Sequence, residues 1–527
     1  MSLIQIQNLT FQYDTSHENI FEDVSLSLDT DWRLGFVGRN GRGKTTFLNL
    51  LLGRYRYSGS IQASVSFDYF PFPIEDESMI ALRVLKEAVA PFERWEREME
   101  EALEQGDIDR YGQLQERYLA QDGYQIEELL AREVSRLSVD PEVLERPFCT
   151  LSGGERTKCC LAALFLKKER FLLIDEPTNH LDSEGRRVVA NYLSGKRGFI
   201  LVSHDRALLD GAVDHILSLN RRSIELQRGN YQSFRENRRR QDEYELARDE
   251  ALRREIDRLS AAAKGTASWS NALEKTKYGH YNSGLKVDRG YIGHKSAKMM
   301  KRAKVIEARQ QRQIEEKESL LQDLEESEEL ALSPLRYPSQ RLLEARELSV
   351  GYGSQPLFTG LNFTLGRGER IALCGRNGCG KSSVLRLLLG EAVPHTGALQ
   401  PGSGLVVSYV PQDTSFLRGS LRGYARDEGV DESLFLAILR KLGFSRTQFQ
   451  KELSCYSEGQ KKKVLLARSL CQRAHLYVWD EPLNYLDIPS REQIEGLLGR
   501  YQPAMLLVEH DERFLENIGA RRVPVGE

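Results

Sequence analysis

The sequence predicts an α/β protein in which two copies of one domain lie in tandem, joined by a helical segment. A set of short motifs occurs twice in the same order. Each copy has an apolar strand-like run followed by a glycine-rich loop and a helical pattern, and the interval between the copies is rich in helix-forming residues. At roughly 100–200 residues per domain, the 527 residues also predict two to four domains. We place the copies at residues 1–231 and 339–527.

Composition excludes several classes of protein. The chain is 40% hydrophobic and 29% charged with a net charge of −3, which is typical of a globular protein and not of a general polyanion binder. Its seven cysteines form no CxxC pair, which argues against a zinc ribbon and against a secreted disulfide scaffold. The first residues lack a signal-peptide pattern, and no apolar run approaches the roughly 18 residues of a membrane span. We therefore expect a soluble, cytoplasmic protein.

The glycine-rich loops at residues 38–45 (GRNGRGKT) and 375–382 (GRNGCGKS) both match GxxxxGK[ST]. Glycines in such a loop let backbone N–H groups approach phosphates, the lysine neutralises them, and the last hydroxyl holds Mg²⁺. The predicted nucleotide-binding residues of these loops are Gly38, Asn40, Gly41, Gly43, Lys44, Thr45 and Thr46, and then Gly375, Asn377, Gly378, Gly380, Lys381, Ser382 and Ser383. Thr45 and Ser382 are the predicted Mg²⁺ ligands among them.

Each copy also has an apolar strand that ends in Asp-Glu. Asp175 and Asp480 are placed to hold Mg²⁺. The glutamates that follow, Glu176 and Glu481, could orient or deprotonate an attacking water. The predicted γ-phosphate sensors are His204 and His510, which follow these aspartates at nearly the same interval in both copies.

Two further features point to nucleotide. Tyr13 and Tyr352 precede the loops by 25 and 23 residues and could stack on adenine, although a tyrosine of the core or of an edge strand would leave the same pattern. The sequence LSGGE places Ser152, Gly153 and Gly154 at a predicted helix start, which suits an anionic phosphate.

Together the phosphate loops, LSGGE and DEPTNHLD resemble the ATP-binding-cassette (ABC) ATPases over nearly all of both copies. The resemblance implies ATP and Mg²⁺ as cofactors, and an ATP hydrolase whose two cassettes close head to tail. Each nucleotide would then lie between the phosphate loop of one cassette and the signature of the other. In the second cassette the signature residues would be Ser457 and Gly459, and Gln412 would bind nucleotide and metal.

The sequence departs from that family pattern twice, and both departures fall on one site. Phe72 stands where the first cassette should carry the equivalent of Gln412, and Glu458 replaces the first glycine of the second signature. In the head-to-tail arrangement both face the nucleotide on Lys44, where the carboxylate of Glu458 should repel the γ-phosphate unless it points away. We therefore predict slower hydrolysis there than at the complete site of Lys381, unless backbone N–H groups make the signature contacts and tolerate the change.

A finer resemblance is to the ABC-F class, which has two cassettes on one chain, no membrane domain and a long helical linker. DEPTNHLD, GNYQSF, WDEPLNYLD and VEHD resemble antibiotic-resistance members of the Lsa and Vga kinds. The resemblance implies docking near the exit tRNA site of the ribosome, with the linker reaching toward the peptidyl-transferase centre. It also implies relief of inhibition by lincosamides, streptogramins A and pleuromutilins, contacts with 23S rRNA and P-site tRNA, and a monomer with intramolecular cassette pairing.

Two segments lie outside the shared motifs. The first copy carries about 32 extra residues, which we place within 92–135 as a helical insertion, either an enlarged subdomain or an arm that touches a partner. Residues 232–338 have thin apolar seams on either side of an irregular stretch, which predicts a long antiparallel helical hairpin with its tip at 265–293.

The hairpin tip is strongly basic. Ten basic and two acidic residues lie within 264–304, with aromatic residues between them. Basic side chains bind phosphates and aromatic rings stack on unpaired bases, so we predict structured RNA as the partner, against the alternative of a solvated loop. The predicted RNA-binding residues are Lys264, Trp269, Lys275, Lys277, Tyr278, Tyr281, Lys286, Arg289, Lys295, Lys298, Lys301 and Arg302.

Three other functions stay open at this point. A housekeeping ABC-F translation factor would share every motif. The soluble ATPase subunit of a transporter would share the cassettes, although it has no need of a basic hairpin. A DNA-repair or chromosome ATPase is compatible with a hairpin, but we see no zinc-type cysteine cluster.

Overall fold

The computed structural model describes residues 2–13, 19–179, 181–220, 223–241, single positions from there to 254, then 330–352 and 355–526. The chain divides into two compact units, Met1–Phe234 with Glu328–Glu527, and Arg235–Ser327. The second unit lies almost wholly outside the described residues. The predicted helical hairpin, its tip at 265–293 and all twelve predicted RNA-binding residues therefore stay predictions, as do the predicted domain boundaries.

The first cassette is built on two sheets. A three-stranded antiparallel sheet has the order β2-β1-β4, formed by β1 (Leu3–Phe11), β2 (Phe21–Asp29) and β4 (Ser58–Ala63). A six-stranded sheet has the order β5-β6-β7-β3-β8-β9, formed by β3 (Arg33–Gly38), β5 (Ser66–Phe70), β6 (Arg170–Asp175), β7 (Phe199–Val202), β8 (His215–Leu219) and β9 (Ile224–Arg228). Only β9 runs antiparallel to its neighbour. The buried apolar runs of β6 and β7 are typical of parallel strands covered on both faces.

Helices cover this sheet and form a separate layer beside it. The helices that follow strands of the sheet are α1 (Lys44–Leu51), α7 (Ser183–Ser194) and α8 (Arg206–Ala212). The helical layer holds α2 (Ala81–Val89), α3 (Phe92–Glu104), α4 (Ile108–Ala120), α5 (Ile126–Arg136) and α6 (Gly153–Leu166), with 3₁₀ turns at Pro141–Glu145 and Phe148–Thr150. Three of these helices, α3 to α5, occupy the predicted insertion at 92–135.

The helices α3 and α4 pack on each other through buried Phe92, Met99, Leu114 and Tyr118. Near the turn between them, Leu103 and Ile108 are exposed. The insertion thus has an apolar seam of its own and an exposed apolar end, which fits both an enlarged subdomain and a contact arm.

The second cassette repeats the plan. Its antiparallel sheet, in the order β11-β10-β13, is formed by β10 (Arg341–Tyr352), β11 (Gln355–Gly366) and β13 (His395–Pro401). Its parallel sheet, in the order β14-β15-β16-β12-β17, is formed by β12 (Arg370–Cys374), β14 (Val407–Val410), β15 (Leu476–Asp480), β16 (Met505–Val508) and β17 (Arg521–Pro524). Its helices are α9 (Lys381–Leu388), α10 (Leu421–Asp427), α11 (Glu432–Lys441), α12 (Glu458–Cys471), α13 (Ile488–Tyr501) and α14 (Glu512–Asn517), with 3₁₀ turns at Gln448–Gln450 and Leu453–Cys455.

The last residues assigned to the linker by sequence pack on the second cassette. Leu330 and Leu332 are buried in its core, and the N–H of Leu335 donates to the carbonyl of Ala474 at 2.8 Å. Residues 330–337 have no helix or strand. Pro334 and Pro338 therefore lie beyond any helical part of the linker, as proline requires.

The two cassettes pack against each other within the first unit. Arg206, at the start of α8, is fully buried and pairs with Glu495 of α13. Arg513 of α14 donates to Asp210 of α8 at 2.9 Å. The predicted fold class of two tandem cassettes is confirmed, and residues from both cassettes meet at one interface.

Candidate functional site

Both phosphate loops have the geometry that their sequences predict. Each loop leaves the end of a central strand and enters a helix through a left-handed glycine, Gly43 (φ 108°) and Gly380 (φ 101°). A Cβ on Gly43 would lie 2.6 Å from Cγ2 of Ile20, so only glycine fits. Lys44 and Lys381 are buried, and each Nζ donates to a carbonyl of its own loop, Gly38 at 2.8 Å and Gly375 at 2.7 Å.

In both cassettes, strands that end at the same edge of the sheet bring the predicted metal ligands together. In the first, Thr45 Oγ1 donates to Asp175 Oδ2 at 2.9 Å. In the second, the Ser382 hydroxyl bonds to Asp480, while Asp480 Oδ1 is buried without a hydrogen-bond partner among the described residues. Burial raises the pKa of Asp480 to about 6. A buried carboxylate oxygen without a partner, beside a hydroxyl, is a donor set that fits Mg²⁺.

Glu176 and Glu481 occupy matching strained positions just after their strands. Both have left-handed backbones (φ 51° and 47°), and their N–H groups donate to Val202 and Val508. His204 Nε2 lies 3.5 Å from Glu176 Oε1, and His510 Nε2 lies 3.8 Å from Glu481 Oε1. Each of the predicted histidines thus lies beside the glutamate of its own cassette.

The environments of these groups favour neutral forms. Burial, and then the charge of Asp175, raises the pKa of Glu176 to about 8. Burial lowers the pKa of His510 to about 3, and burial with the nearby Lys44 lowers that of His204 well below its usual range. Both histidines are therefore neutral at pH 7 and can hydrogen-bond to a phosphate without carrying charge.

The two tyrosines lie at the edges of their loops. The Tyr13 hydroxyl is 2.8 Å from Thr46 Oγ1, and that of Tyr352 is 3.3 Å from Ser383 Oγ. Tyr13 packs edge-on to Phe11 at 5.0 Å between ring centroids, whereas Tyr352 is half exposed. Tyr352 is the more accessible of the two for a base.

Gln412 and Phe72 behave differently, as their chemistry predicts. The Gln412 side-chain amide donates to Glu481 Oε2 at 2.9 Å, which joins it to the candidate base. Phe72 packs on the apolar core of the first cassette, with Lys167 Nζ 5.6 Å from its ring centroid. At the first site a different side chain reaches the aspartate: the Tyr69 hydroxyl donates to Asp175 at 3.0 Å.

The Lys44 site is closed by the second cassette. The Asn40 N–H donates to Asp487 Oδ2 at 2.9 Å, and its side-chain amide donates to the Tyr485 carbonyl at 2.7 Å. Asn40 Oδ1 also lies 2.8 Å from His204 Nε2. Gly459 of the second signature approaches closely, because a Cβ on it would lie 3.0 Å from Asn40 Nδ2. The predicted meeting of phosphate loop and opposite signature therefore occurs here.

The residue that anchors this contact is buried and charged. Asp487 is 1% exposed and accepts a 2.9 Å hydrogen bond from Lys463, which is also buried. Although burial opposes ionisation, Lys463 and the hydrogen bonds from Ser490 and Asn40 hold the pKa of Asp487 far below its usual range.

The Lys381 site is more open. A cavity of ≈ 360 Å³ is bordered by Lys381, Ser382, Gln412, Glu481 and His510. Among the described residues that line it, the first cassette supplies Leu181 and Arg186, and the signature residues Ser152, Gly153 and Gly154 lie outside it. The second loop does reach the first cassette, because Arg376 Nη2 lies 3.7 Å from Glu184 Oε2. The Ser152 side chain instead caps its own helix, accepting from Glu155 N–H at 3.2 Å.

The carboxylate of Glu458 is held by its own cassette. It accepts a hydrogen bond from Thr414 Oγ1, and Lys461 Nζ donates to it at 2.9 Å. These bonds lower its pKa against the opposing effect of partial burial. The repulsion of phosphate expected from this residue is therefore offset, because its charge is neutralised away from the opposite loop.

Sequence reasoning missed five residues that complete the two sites. They are Lys463, Tyr485 and Asp487 at the Lys44 site, and Leu181 and Arg186 at the Lys381 site. The available signal was the Leu-Asp pair that ends both Asp-Glu motifs, at 181–182 and 486–487, and that precedes a helix in each cassette.

Two complete phosphate loops, each with its Asp-Glu strand and histidine, define a tandem nucleotide-hydrolysing protein. Residues 21–179 and 358–484, more than half of the chain, match the family model described as ABC transporter, so the chain belongs to that family. It is an ATP hydrolase of the ABC type with two cassettes on one chain. No helix among the described residues combines the length and apolar character needed to cross a membrane.

The curated relatives extend over nearly the whole chain. The chain is 28% identical to the uncharacterized ABC transporter ATP-binding protein YfmM of Bacillus subtilis (98% of this chain, 97% of the relative). It is 28% identical to the ribosome protection protein VmlR of B. subtilis (96% and 83%) and to the probable ATP-binding protein YheS of Escherichia coli K12 (94% and 75%). The fold is similar to that of the archaeal ribosome recycling factor aABCE1, in its complex with ribosomal stalk protein aP1 (TM-score 0.58, 17% identity, 98% and 87% covered).

Proposed function

We propose that this chain is a ribosome-associated ATPase that docks when ATP holds its two cassettes closed and leaves after hydrolysis. The observation that carries the proposal is the bond from Asn40 in one phosphate loop to Asp487 of the opposite cassette. A nucleotide bound at that seam contacts both cassettes, and it therefore favours the closed arrangement by its differential affinity.

The ribosome as partner is supported from two other directions. A relative aligned over 96% of this chain is a ribosome protection protein. The segment 264–304 carries eight net positive charges within a chain of net charge −3, which suits the phosphates of RNA. The finer proposal is docking near the exit tRNA site, with contacts to 23S rRNA and P-site tRNA, and protection against lincosamides, streptogramins A and pleuromutilins. A cytoplasmic location follows from that partner.

The proposed chemistry assigns a role to each group that the cassettes bring together. Lys44 and Lys381 bind the β- and γ-phosphates. Thr45 and Asp175 in one site, and Ser382, Asp480 and Gln412 in the other, would hold Mg²⁺, which would supply charge stabilisation for the transferred phosphoryl group when bound. Glu481 accepts the proton of the attacking water, and Gln412 fixes the carboxylate that does so. His510 and His204, both neutral, donate hydrogen bonds to the γ-phosphate.

Ribosome pelleting tests the proposal. The Glu176→Gln, Glu481→Gln double variant should bind ATP without hydrolysing it, and we expect it to pellet with ribosomes in ATP but not in ADP. Because backbone phosphate contacts dominate such binding, 0.5 M salt should release it. Glu391→Gln, an exposed glutamate outside both sites, serves as the matched control and should not accumulate on ribosomes.

Charge reversal in the linker then separates RNA binding from cassette closure. Lys275→Glu with Lys277→Glu in the double variant should reduce pelleting while leaving ATP binding unchanged. Absence of pelleting under every nucleotide condition would contradict the ribosome proposal and favour a transporter or DNA partner. Pelleting without drug protection would favour a housekeeping translation factor.

A further inference from the structure

The start of helix α12 is tied to the segment that carries Gln412. Thr414, which is 3% exposed, donates its hydroxyl hydrogen to Glu458 Oε2. Glu458 is the first residue of α12 and stands where the first cassette has Gly153. The bond therefore exists only because a carboxylate replaces a glycine of the signature.

A second tie holds the other side of Gln412. Lys462, which is 2% exposed, donates to the Pro411 carbonyl at 2.8 Å and to the Asp480 carbonyl at 3.3 Å. Next to Thr414, the N–H and the hydroxyl of Ser415 both donate to Asp413, at 2.9 and 2.8 Å, and fix the turn. Movement of α12 is thus transmitted to the backbone on both sides of Gln412.

Gln412 connects this segment to Glu481, the candidate base. Its amide donates to Glu481 Oε2 at 2.9 Å, and both residues border the cavity of the Lys381 site. A shift of the segment from Pro411 to Thr414 would therefore reorient the carboxylate that must face the attacking water.

The same helix start faces the other nucleotide site. The residue after Glu458 is Gly459, whose Cβ, if present, would lie 2.4 Å from the Tyr485 carbonyl and 3.0 Å from Asn40 Nδ2 of the first phosphate loop. Gly459, which faces the Lys44 site, and Glu458, which is bonded to the segment of Gln412 at the Lys381 site, are thus neighbours at the start of helix α12.

The first cassette has none of these ties. Gly153, Thr157 and Phe72 stand in the places of Glu458, Lys462 and Gln412. Thr157 Oγ1 bonds to the Gly153 carbonyl within its own helix, at 2.9 Å. Among the described residues, the arrangement is therefore confined to the second cassette.

We propose that Glu458, Thr414 and Lys462 are positioning residues that couple nucleotide occupancy at the Lys44 site to the alignment of Glu481 at the Lys381 site. This rests on the proposed assignment of the two sites. The glutamate at position 458, in place of a glycine, would then add a coupling between the two nucleotide sites.

A double-mutant cycle on the full chain, without ribosomes, tests the coupling. Lys44→Ala empties one corner of the first site, and Thr414→Val removes the hydroxyl with little change of shape. We expect Lys44→Ala to lower kcat about fivefold in the natural background, at the low end of usual coupling, and to have no further effect in Thr414→Val. KM for ATP should change little across the cycle, because the affected step is alignment and not binding.

Three matched variants secure the interpretation. Thr414→Ser keeps the hydroxyl and should restore the fivefold response to Lys44→Ala. Thr396→Val makes the same chemical change at an exposed strand position and should leave the response intact. Glu458→Gly should abolish the response as Thr414→Val does.

Equal effects of Lys44→Ala in the natural and Thr414→Val backgrounds would overturn the proposal, as would no effect of Lys44→Ala at all. Ribosome pelleting of the same variants separates the two proposals. A coupled cycle without any pelleting would contradict the ribosome role and leave the coupling standing, and pelleting with an additive cycle would do the reverse.

Discussion

In the Lys44 site Asn40 of the phosphate loop donates to the buried Asp487 of the opposite cassette, whereas the loop of the Lys381 site borders a cavity of ≈ 360 Å³ and reaches the opposite cassette through an exposed ion pair, Arg376 with Glu184 at 3.7 Å. The two loops are nearly identical in sequence, so this difference comes from their neighbours. Asn40 contacts the buried Asp487–Lys463 pair, while Leu181 and Arg186 border the same cavity as the second loop. We propose that these neighbouring residues adapt the Lys44 site to binding and the Lys381 site to turnover.

The same contrast holds for the groups nearest the chemistry. Glu481 is fixed by Gln412, while the first cassette offers Phe72 at that position and buries Glu176 so that its pKa rises to about 8. A carboxyl group that is mostly protonated at pH 7 is a poor proton acceptor. We therefore propose that the Lys381 site hydrolyses ATP faster and that the Lys44 site acts mainly in binding.

The two sites should differ most in what their glutamates contribute to turnover. Glu481→Gln should lower kcat about 100-fold, the usual scale for loss of a general base. Glu176→Gln should lower it only about twofold, since the Lys381 site carries the flux. Steady-state phosphate release measures both, with Glu391→Gln as control. Equal losses from the two substitutions would contradict the division of roles.

The two sites should also differ in how their hydrolysis of ATP depends on pH. A carboxyl group with a pKa of about 8 is ionised to roughly 10% at pH 7 and 90% at pH 9. The residual activity of Glu481→Gln, which depends on Glu176, should therefore rise roughly tenfold over that interval. The further substitution Glu176→Gln should remove the rise. A flat profile in Glu481→Gln would show that Glu176 is ionised at neutral pH.

The smallest expected effect concerns Tyr69. Its hydroxyl bonds to Asp175, whereas in the second cassette Asp480 Oδ1 has no partner among the residues described, although Tyr409 occupies the matching position. Tyr69→Phe should lower the free energy of unfolding by about 1 kcal/mol, and the melting temperature by about 2–4 °C. Tyr409→Phe should cause a smaller shift, and differential scanning calorimetry compares the two. Equal shifts would mean that the hydroxyl at Asp175 contributes nothing specific.

Sequence predicted the groups that short motifs carry. Glycine spacing places Gly43 and Gly380 at left-handed helix starts, and an apolar run ending in Asp-Glu places Asp175 and Asp480 beside Thr45 and Ser382. These arrangements are local, or they follow from strands that end at the same edge of a sheet. The fold class of two tandem cassettes followed from the same repeats.

Sequence could not predict the pairings between distant side chains. Nothing in the spacing shows that Asp487 would accept from Asn40, or that Lys463 would pair with Asp487, because both contacts depend on how the cassettes and helices pack. The direction of Glu458 is a further case. Its charge predicted repulsion of phosphate, and only packing shows that Thr414 and Lys461 take up the carboxylate.

Rapid-quench analysis of a single turnover shows directly whether one site hydrolyses ATP faster than the other. The chain is loaded with two labelled ATP molecules in the absence of Mg²⁺, and the reaction is started with Mg²⁺ and an excess of unlabelled ATP. We expect two phases, one equivalent of ADP formed quickly and one slowly, with the fast phase lost in Glu481→Gln. A single phase of two equivalents, or a fast phase that survives Glu481→Gln and disappears in Glu176→Gln, would contradict the proposed division of roles between the two sites.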